Sequence, residues 1–336
     1  MNIKNNSNFL MFRTMNLNSN CYYDYFSNKT GIKSSNELDK YLHNRVKEIT
    51  NGKKAALALS GGIDSAILAK YMPEGSTAYT FKCIVPGKSV VDETTIARKY
   101  ADACGLNHRI VEVYWDDMES LSNELIKSKG SPIHSIEVQI YKASKQAKRD
   151  GFDTIIFGES ADAIYGGLSG LLSKDWLFGD FVERFSYIMP YRILKDSVIN
   201  LEPFKRHEKK GRIDPYEFIN DVFINESVGS YINATKAAQM DVCLPYAETY
   251  LDTTIDYNRI RHGENKYLVR ELFARLYPRY KIPEKTPMPR PTYEWLMNWK
   301  GPERKEFWDN CIDGLSGDQK WMVYSLDKYL GLFKND

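Results

Sequence analysis

The first half of the chain alternates short apolar runs with segments in which apolar residues recur at helical spacing. The apolar runs end in polar or turn-forming residues, which predicts buried strands with helices between them. Strands that alternate with helices predict a parallel sheet with helices on both faces and right-handed connections. We therefore expect an α/β fold with a doubly wound parallel sheet. The predicted strands are KKAALALS (53–60), STAYTFKCIV (76–85), NHRIVEVYW (107–115) and FDTIIFGES (152–160), and the predicted helices are AILAKYM (66–72), DETTIARKYADACGL (92–106) and HSIEVQIYKASKQAKRDG (134–151).

The pattern changes on both sides of this alternation. Before it, SSNELDKYLHNRVKEITNG predicts a helix that follows a polar leader, with Ser35 or Asn36 as its N-cap and Gly52 at its end. After about Leu171 the strand patterns disappear, and aromatic and helical segments punctuated by Pro and Gly dominate. We expect three parts: residues 1–52 as leader and helix, residues 53–170 as the α/β domain, and residues 171–336 as a mostly helical region.

Composition excludes several classes of protein. The 336 residues are 43% hydrophobic, which is enough for a sizeable core, and their net charge of +2 gives no strong field toward nucleic acid or an anionic membrane. The N-terminus lacks the apolar run of a signal peptide and no later run resembles a membrane span, so we expect a cytoplasmic protein. The cysteines are odd in number, scattered and never in a CxxC pair, which favours buried apolar roles over disulfides or zinc. They are Cys21, Cys83, Cys104, Cys243 and Cys311.

The stretch LALSGGIDSAIL joins the first strand of the alternation to the helix after it. Its two glycines let backbone amides approach phosphate oxygens, and its two serines add hydroxyl donors. A carboxylate beside phosphates is repulsive unless a divalent cation lies between them, so Asp64 predicts Mg²⁺. A strand-to-helix turn with a capping side chain explains the same residues without a ligand. The residues concerned are Ser60, Gly61, Gly62, Asp64 and Ser65.

Three motifs in order resemble one family. SGGIDS resembles the pyrophosphate-binding loop of the ATP pyrophosphatase (PP-loop) superfamily, whose members split ATP between the α and β phosphates. GESADAIYGG is similar to the GEGxDExFGGY segment in the synthetase domain of asparagine synthetase and of the β-lactam synthetases. CLPYAETYLDTTI, ENKYLVRELFARLYP and IPEKTP resemble that family's VPFLD, KxxLRE and RxK elements. The resemblance spans residues 53–291 and implies an adenine nucleotide alpha hydrolase-like (HUP-type) fold, with ATP bound by residues 53–170 and the substrate by residues 171–336.

The resemblance implies a role for each matched residue. Asp64 and Asp162 would hold Mg²⁺ against the triphosphate, and Glu159 matches the position that handles the intermediate after adenylation. Lys266 matches the lysine that stabilises developing negative charge, and Lys285 matches the basic residue of the last motif. Without the resemblance, helix capping explains the two acids of GESADAIYGG, and a solvated ion pair explains Lys266. The residues implied to contact ATP or its pyrophosphate are Leu59, Ser60, Gly61, Gly62, Asp64, Ser65, Phe81, Cys83 and Gly158.

The implied chemistry is adenylation of a small molecule. A carboxylate or amide-like oxygen attacks the α phosphate of ATP, pyrophosphate leaves, and a nucleophile then displaces AMP. Mg²⁺, backbone amides and lysines would neutralise the charge that builds during the first step. We therefore expect an AMP-forming enzyme that requires ATP and Mg²⁺ and forms an amide in its second half-reaction.

The chain departs from the family at three points. Asparagine synthetase begins with the nucleophilic cysteine of a glutaminase domain, whereas Asn2 follows Met1 here and only a leader and one helix precede the first strand. Ala163 stands where the family has an acid after Asp162, and Ser160 stands where it has a glycine. We therefore expect a substrate other than aspartate, and ammonia from solution or a donor protein, or a different nucleophile.

Other interpretations stay open. Branches of the same superfamily adenylate a heterocycle and then deliver sulfur from a cysteine persulfide, for which Cys104 and then Cys83 are candidates, with a separate sulfur donor as an alternative. A nucleic-acid enzyme that uses RFSYIMPYRILK and PRPTYEWLMNWK as basic aromatic contacts is disfavoured by the near-neutral charge. An inactive ATP-binding module is disfavoured by the joint presence of Asp64, Asp162 and Lys266. Assembly into a homodimer is left open.

Overall fold

The structure, a computed structural model, describes residues 2–17, 28–284 and 288–333. Its strands are β1 Thr30–Ile32, β2 Ala55–Ala58, β3 Thr77–Cys83, β4 Asn107–Val113, β5 Thr154–Ile156, β6 Glu208–Lys209, β7 Arg212–Ile213, β8 Asp241–Cys243 and β9 Thr249–Leu251. Its helices up to the end of the predicted α/β part are α1 Ile3–Phe12, α2 Ser35–Gly52, α3 Ile63–Tyr71, α4 Thr94–Ala103, α5 Trp115–Lys129, α6 Ser135–Arg149 and α7 Ala161–Ile164. The later helices are α8 Phe178–Phe185, α9 Glu202–Lys205, α10 Pro215–Phe218, α11 Ile224–Ala237, α12 Tyr257–Arg261, α13 Tyr267–Leu276, α14 Thr292–Trp295 and α15 Gly317–Leu332, with a 3₁₀ turn at Pro190–Arg192 and a π-helical turn at Ile219–Phe223.

Five strands form one parallel sheet in the order β4-β3-β2-β5-β8. The chain moves outward from β2 to β4 and then crosses back to β5, so the direction of winding reverses between β2 and β5. Helices α2, α3 and α13 pack together on one face, and α5, α6 and α11 pack together on the other. The predicted doubly wound α/β fold is confirmed.

The expectation that strands disappear after Leu171 is wrong. Strand β8 extends the main sheet beside β5, with Thr154 opposite Asp241. Strand β9 pairs in parallel with β1, and β6 pairs with β7 in a hairpin. These strands have only two or three residues each, which is too short for the alternation of apolar and polar residues that reveals a strand. The three-part division at residues 52 and 170 stays a prediction.

Three further expectations from the sequence need correction. The polar leader contains α1, whose residues 6–12 are buried although they include Asn6 and Asn8. Helix α2 is capped by Ser34, not by Ser35 or Asn36, because the Ser34 hydroxyl accepts the backbone N–H of Glu37 at 3.2 Å. The predicted strand at 107–115 ends at residue 113, and α5 begins directly afterwards.

A second apolar core joins α1 to the helical region. Phe12 packs there against Phe204, whose ring stacks on that of Phe218 at a centroid distance of 4.9 Å. This aromatic core lies apart from the main core around the parallel sheet. In the described part of the chain, no helix is both long enough and apolar enough to cross a bilayer.

Candidate functional site

A cavity of about 420 Å³ lies at the carboxyl ends of β2, β3 and β5, where the winding of the sheet reverses. Ligands of open α/β sheets bind at such a reversal because the loops there diverge and leave a crevice. The cavity is lined by residues 58–65, by Thr80 and Phe81, by residues 157–160 with Asp162, and by residues 265 and 266 with Arg270. The sheet therefore gathers the motifs singled out from the sequence around one space.

The loop after β2 is ordered by its own side chains. The backbone N–H of Ser60 donates to Oγ of Ser65 at 3.0 Å, and the two serine hydroxyls lie 2.9 Å apart. The backbone N–H of Gly62 donates to Oγ of Ser60 at 3.1 Å. Both serines therefore fix the loop conformation, which leaves their role as phosphate donors a prediction.

Glu93, at the N-cap of α4, also contacts this loop. Its carboxylate accepts the backbone N–H of Gly61 at 3.2 Å. Burial raises the pKa of Glu93, and the hydrogen bond from Gly61 lowers it by less. A backbone amide that holds a carboxylate has the geometry needed to hold a phosphate oxygen. The sequence did not identify Glu93, because an acid ahead of a helix looks like an ordinary cap.

On the cavity wall opposite the loop, two glycines allow neighbouring atoms to lie close to the backbone. A side chain at Gly158 would place its Cβ 2.9 Å from the backbone nitrogen of Ser65. A side chain at Gly167 would overlap the carboxylate of Asp162. Gly158 therefore lets the end of β5 lie against the first turn of α3, and Gly167 leaves room for the second predicted metal ligand.

Lys266 joins the two predicted metal carboxylates. Its Nζ lies 2.9 and 2.8 Å from the two oxygens of Asp64 and 3.0 Å from Oδ1 of Asp162. The lysine is only 7% exposed and has a left-handed backbone with φ of 50° at the N-cap of α13. Burial lowers the pKa of Lys266, but the two carboxylates raise it further, so the net shift is upward. The carboxylates thus converge on one cation that stays charged.

The donor set of this cluster suits Mg²⁺. Two carboxylates from different strand ends converge on the position that Nζ of Lys266 occupies, so Mg²⁺ would bind these oxygens with the ammonium displaced. Oxygen ligands are those that Mg²⁺ prefers. Within residues 2–17, 28–284 and 288–333, no group of three or more His, Cys, Asp and Glu side chains is clustered for a metal. A divalent cation would therefore share its coordination with phosphate oxygens or water. The cavity is acidic, which repels a bare triphosphate: its described acidic side chains are Asp64, Asp92, Glu93, Glu159, Asp162 and Glu284, and its basic ones are Lys266 and Arg270.

Glu159 is held in place by α11. The hydroxyl of Ser227 donates to Oε1 of Glu159, and Tyr231 lies near the same carboxylate. Burial, and then the negative charge of Glu159, raise the pKa of Tyr231 well above its usual value. Tyr231 itself lines the cavity. Neither Ser227 nor Tyr231 was identified from the sequence, because they lie on a helix without a recognisable motif.

Three further residues that the resemblance implies contact ATP are only partly placed as expected. Leu59 and Phe81 line the cavity, and the carbonyl of Leu59 accepts the hydroxyl of Thr80 at 2.6 Å. Cys83 does not line it: its thiol donates to the carbonyl of Pro289 at 3.3 Å. Burial raises the pKa of Cys83 to about 12, although Arg290 opposes this shift. Cys83 is therefore a buried thiol beside the cavity wall.

Two other predicted residues lie away from the cavity or outside the description. Cys104 is absent from the cavity lining, and its Sγ lies 3.2 Å from the hydroxyl of Tyr277. Lys285 lies outside the described residues, so its role stays a prediction. Conversely, Arg270 lines the cavity although the sequence gave it no role. Its spacing of one helical turn from Lys266 was the signal that could have identified it.

Comparisons with known proteins give one family match and several similar solved structures. A sequence model described as asparagine synthase matches residues 37–242. No curated protein matches the chain. Among solved structures, the chain is similar to an NMN synthetase from Francisella tularensis, with 13% identity over 76% of this chain and 99% of that chain and a TM-score of 0.30. It is also similar to the U34-tRNA thiolase NcsA from Methanococcus maripaludis, with 14% identity over 75% of this chain and 82% of that chain and a TM-score of 0.29.

Proposed function

Because the chain belongs to the asparagine synthase family, we propose that it adenylates a small substrate with ATP and then transfers the activated group to a nucleophile. One observation carries this proposal above the others: the carboxylates of Asp64 and Asp162, from opposite walls of the cavity, meet at Nζ of Lys266. A site that handles a triphosphate needs both a cation-binding carboxylate pair and a fixed positive charge. This cluster supplies both.

In the first step, an acceptor oxygen forms a bond to the α phosphorus, and the bond from that phosphorus to the oxygen bridging to the β phosphate breaks. The electron pair of the broken bond leaves with pyrophosphate. Asp64 and Asp162 would hold Mg²⁺, which neutralises charge on phosphate oxygens when bound. Lys266 would offset the charge of the departing pyrophosphate. The amides of the loop after β2 would bind its oxygens in exchange for the side chains of Ser60, Ser65 and Glu93 that they contact here.

Glu159 supports the second step. Its carboxylate is oriented by Ser227, and Glu159 lines the cavity. An amine or ammonia must lose a proton as it displaces AMP, and an oriented carboxylate is a suitable acceptor for that proton. We therefore favour amide formation, with the nucleophile coming from solution or from a donor protein.

Sulfur transfer is the alternative. It requires a reactive thiol within reach of the adenylated group, and thiols become reactive when their pKa is lowered. Of the described cysteines, none lines the cavity, and burial raises the pKa of Cys83, of Cys243 and of Cys311. Cys21 lies outside the described residues. Sulfur transfer would therefore depend on Cys21 or on a separate donor.

The experiment follows the products of ATP. The protein is incubated with Mg²⁺, fractions of a small-metabolite pool, and ATP labelled at either the α or the γ phosphate. We expect labelled AMP and pyrophosphate, with consumption of ammonium or an amine in the same fraction. Release of ADP and phosphate would contradict the proposal, and consumption of sulfide in place of an amine would favour the alternative.

A further inference from the structure

Ser160 carries two unfavourable features at one position of the cavity wall. Its backbone is left-handed, with φ of 75° and ψ of −10°, a conformation that suits glycine and strains other residues. Its side chain is only 2% exposed, yet its Oγ has no hydrogen-bond partner within the described residues. Folding alone does not favour a serine here, because a glycine would avoid both costs.

The position of Ser160 in the cavity relates it to the nucleotide. It lines the cavity between Glu159 and Asp162, the second of which contacts Lys266 at the triphosphate end. Leu59 and Phe81, two residues that the resemblance implies contact ATP, line the cavity at the ends of β2 and β3, and we assign the adenine to that side as part of this inference. The α phosphate of a nucleotide connects its adenosine to the rest of its triphosphate, so it must lie between these two ends. A buried hydroxyl without a partner in this wall suits a phosphate oxygen.

We propose that the Ser160 hydroxyl donates a hydrogen bond to a non-bridging oxygen of the α phosphate, the group attacked during adenylation. This inference rests on the proposed function and adds a donor at a position where the family motif has glycine. Charge on those oxygens increases when the acceptor oxygen attacks, so a fixed donor stabilises the transition state more than the bound ATP. The strain at Ser160 is the cost of placing that donor.

The test compares two nucleotide probes that differ by the α phosphate alone. Dissociation constants for AMP and adenosine are measured by calorimetry with the full chain and with Ser160→Gly and Ser160→Ala. We expect both substitutions to reduce the preference for AMP over adenosine by about tenfold, because a hydrogen bond to a charged oxygen is lost. Binding of adenosine should stay unchanged.

Thermal unfolding distinguishes the cost of the buried Ser160 hydroxyl from the cost of the left-handed backbone. Ser160→Ala should raise the melting temperature by about 1–2 °C, because it removes the unpaired hydroxyl, and Ser160→Gly should raise it further, because it also relieves the left-handed backbone. Lys210→Gly is the matched control, since Lys210 is exposed in the turn of the β6–β7 hairpin with φ of 54°. It should also raise the melting temperature but leave the preference for AMP unchanged.

Two results would overturn the inference alone. Either both Ser160 variants keep the preference of the unsubstituted chain for AMP, or they weaken adenosine binding as much as AMP binding. If the unsubstituted chain binds neither AMP nor ATP, both the inference and the proposed function fail. The two failures are therefore distinguishable.

Discussion

The two walls of the cavity satisfy their polar groups in different ways. The loop wall, residues 60–65, has its first amides and both of its serine hydroxyls paired within the chain. The strand wall, residues 158–162, pairs Glu159 with α11 but leaves the hydroxyl of Ser160 without a partner in the described chain. These groups of the loop wall therefore have partners without a ligand, whereas the hydroxyl of Ser160 on the strand wall has none within the described residues.

This difference indicates which wall would make the same contacts with every substrate and which wall would be specific for one substrate. A paired, rigid loop suits pyrophosphate, which every PP-loop reaction releases and which needs no new contacts from one substrate to the next. The strand wall departs from the family motif at Ser160, and the second departure, Ala163, follows this wall outside the cavity lining. We infer that substrate choice is set by the strand wall, and that the loop wall contributes stability and anion binding.

Replacing Lys266, whose ammonium contacts a carboxylate from each wall, should have the largest effect on ATP turnover. Lys266→Met leaves Asp64 and Asp162 facing each other without a positive partner. We expect ATP turnover to fall by about 10³-fold, because a preorganised charge in a buried site is lost. The control is Lys142→Met, since Lys142 pairs with Asp117 at 2.6 Å outside the cavity lining. If Lys266→Met kept a tenth of the turnover, the walls would not depend on this cation.

Disrupting the loop wall should have the next largest effect. Ser65→Ala removes the acceptor of the Ser60 N–H and the partner of the Ser60 hydroxyl. We expect the dissociation constant for ATP to rise about tenfold and the melting temperature to fall by about 2–4 °C. Calorimetry and thermal unfolding measure the two effects. Ser120→Ala, on an exposed turn of α5, removes a comparable hydrogen bond and should change neither.

A smaller effect is expected from the charge of Glu93, whose carboxylate accepts the backbone N–H of Gly61 in the loop wall. Because burial raises the pKa of Glu93, the native state takes up its proton at a higher pH than the unfolded chain. Stability from this group is fully present below its ordinary pKa of 4.5 and is lost as the pH rises through the folded value. Glu93→Gln keeps an acceptor for Gly61 without the charge. It should raise the melting temperature by about 1–2 °C at pH 8, and this gain should shrink toward pH 4.

The control for that experiment is Glu119→Gln, which changes an exposed glutamate on α5 and should give no such gain. If the gain in melting temperature of Glu93→Gln grew toward acidic pH, the pKa shift of Glu93 would be downward. It would mean that the loop wall stabilises the carboxylate more than burial destabilises it.

The smallest effect is expected at a residue outside both walls. Cys104 contacts Tyr277 and does not line the cavity. Cys104→Ala should therefore keep ATP turnover within about twofold, since the change only shortens a half-buried side chain. Loss of turnover without loss of melting temperature would revive persulfide chemistry at this residue.

The features that the sequence predicted are those encoded by local patterns. All four strands and three of the four helices between residues 53 and 156 were predicted from such patterns, and the SGGIDS loop follows its strand directly. The fourth helix, α5, was not predicted. Features that depend on contacts between distant residues were not predicted. Glu93 reaches Gly61 from the next helix, and Tyr231 reaches Glu159 from α11. Motif matches named Asp64, Asp162 and Lys266, but only the folded chain shows that one ammonium contacts both carboxylates.

The late position of β8 in the chain affects how the protein folds during synthesis. The strand beside β5 consists of residues 241–243, so a nascent chain on the ribosome exposes that edge of β5 until residue 243 has emerged. Unpaired strand edges favour association with other chains. We expect chaperones that protect nascent chains to bind this protein until β8 docks, and a chain truncated before residue 241 to aggregate.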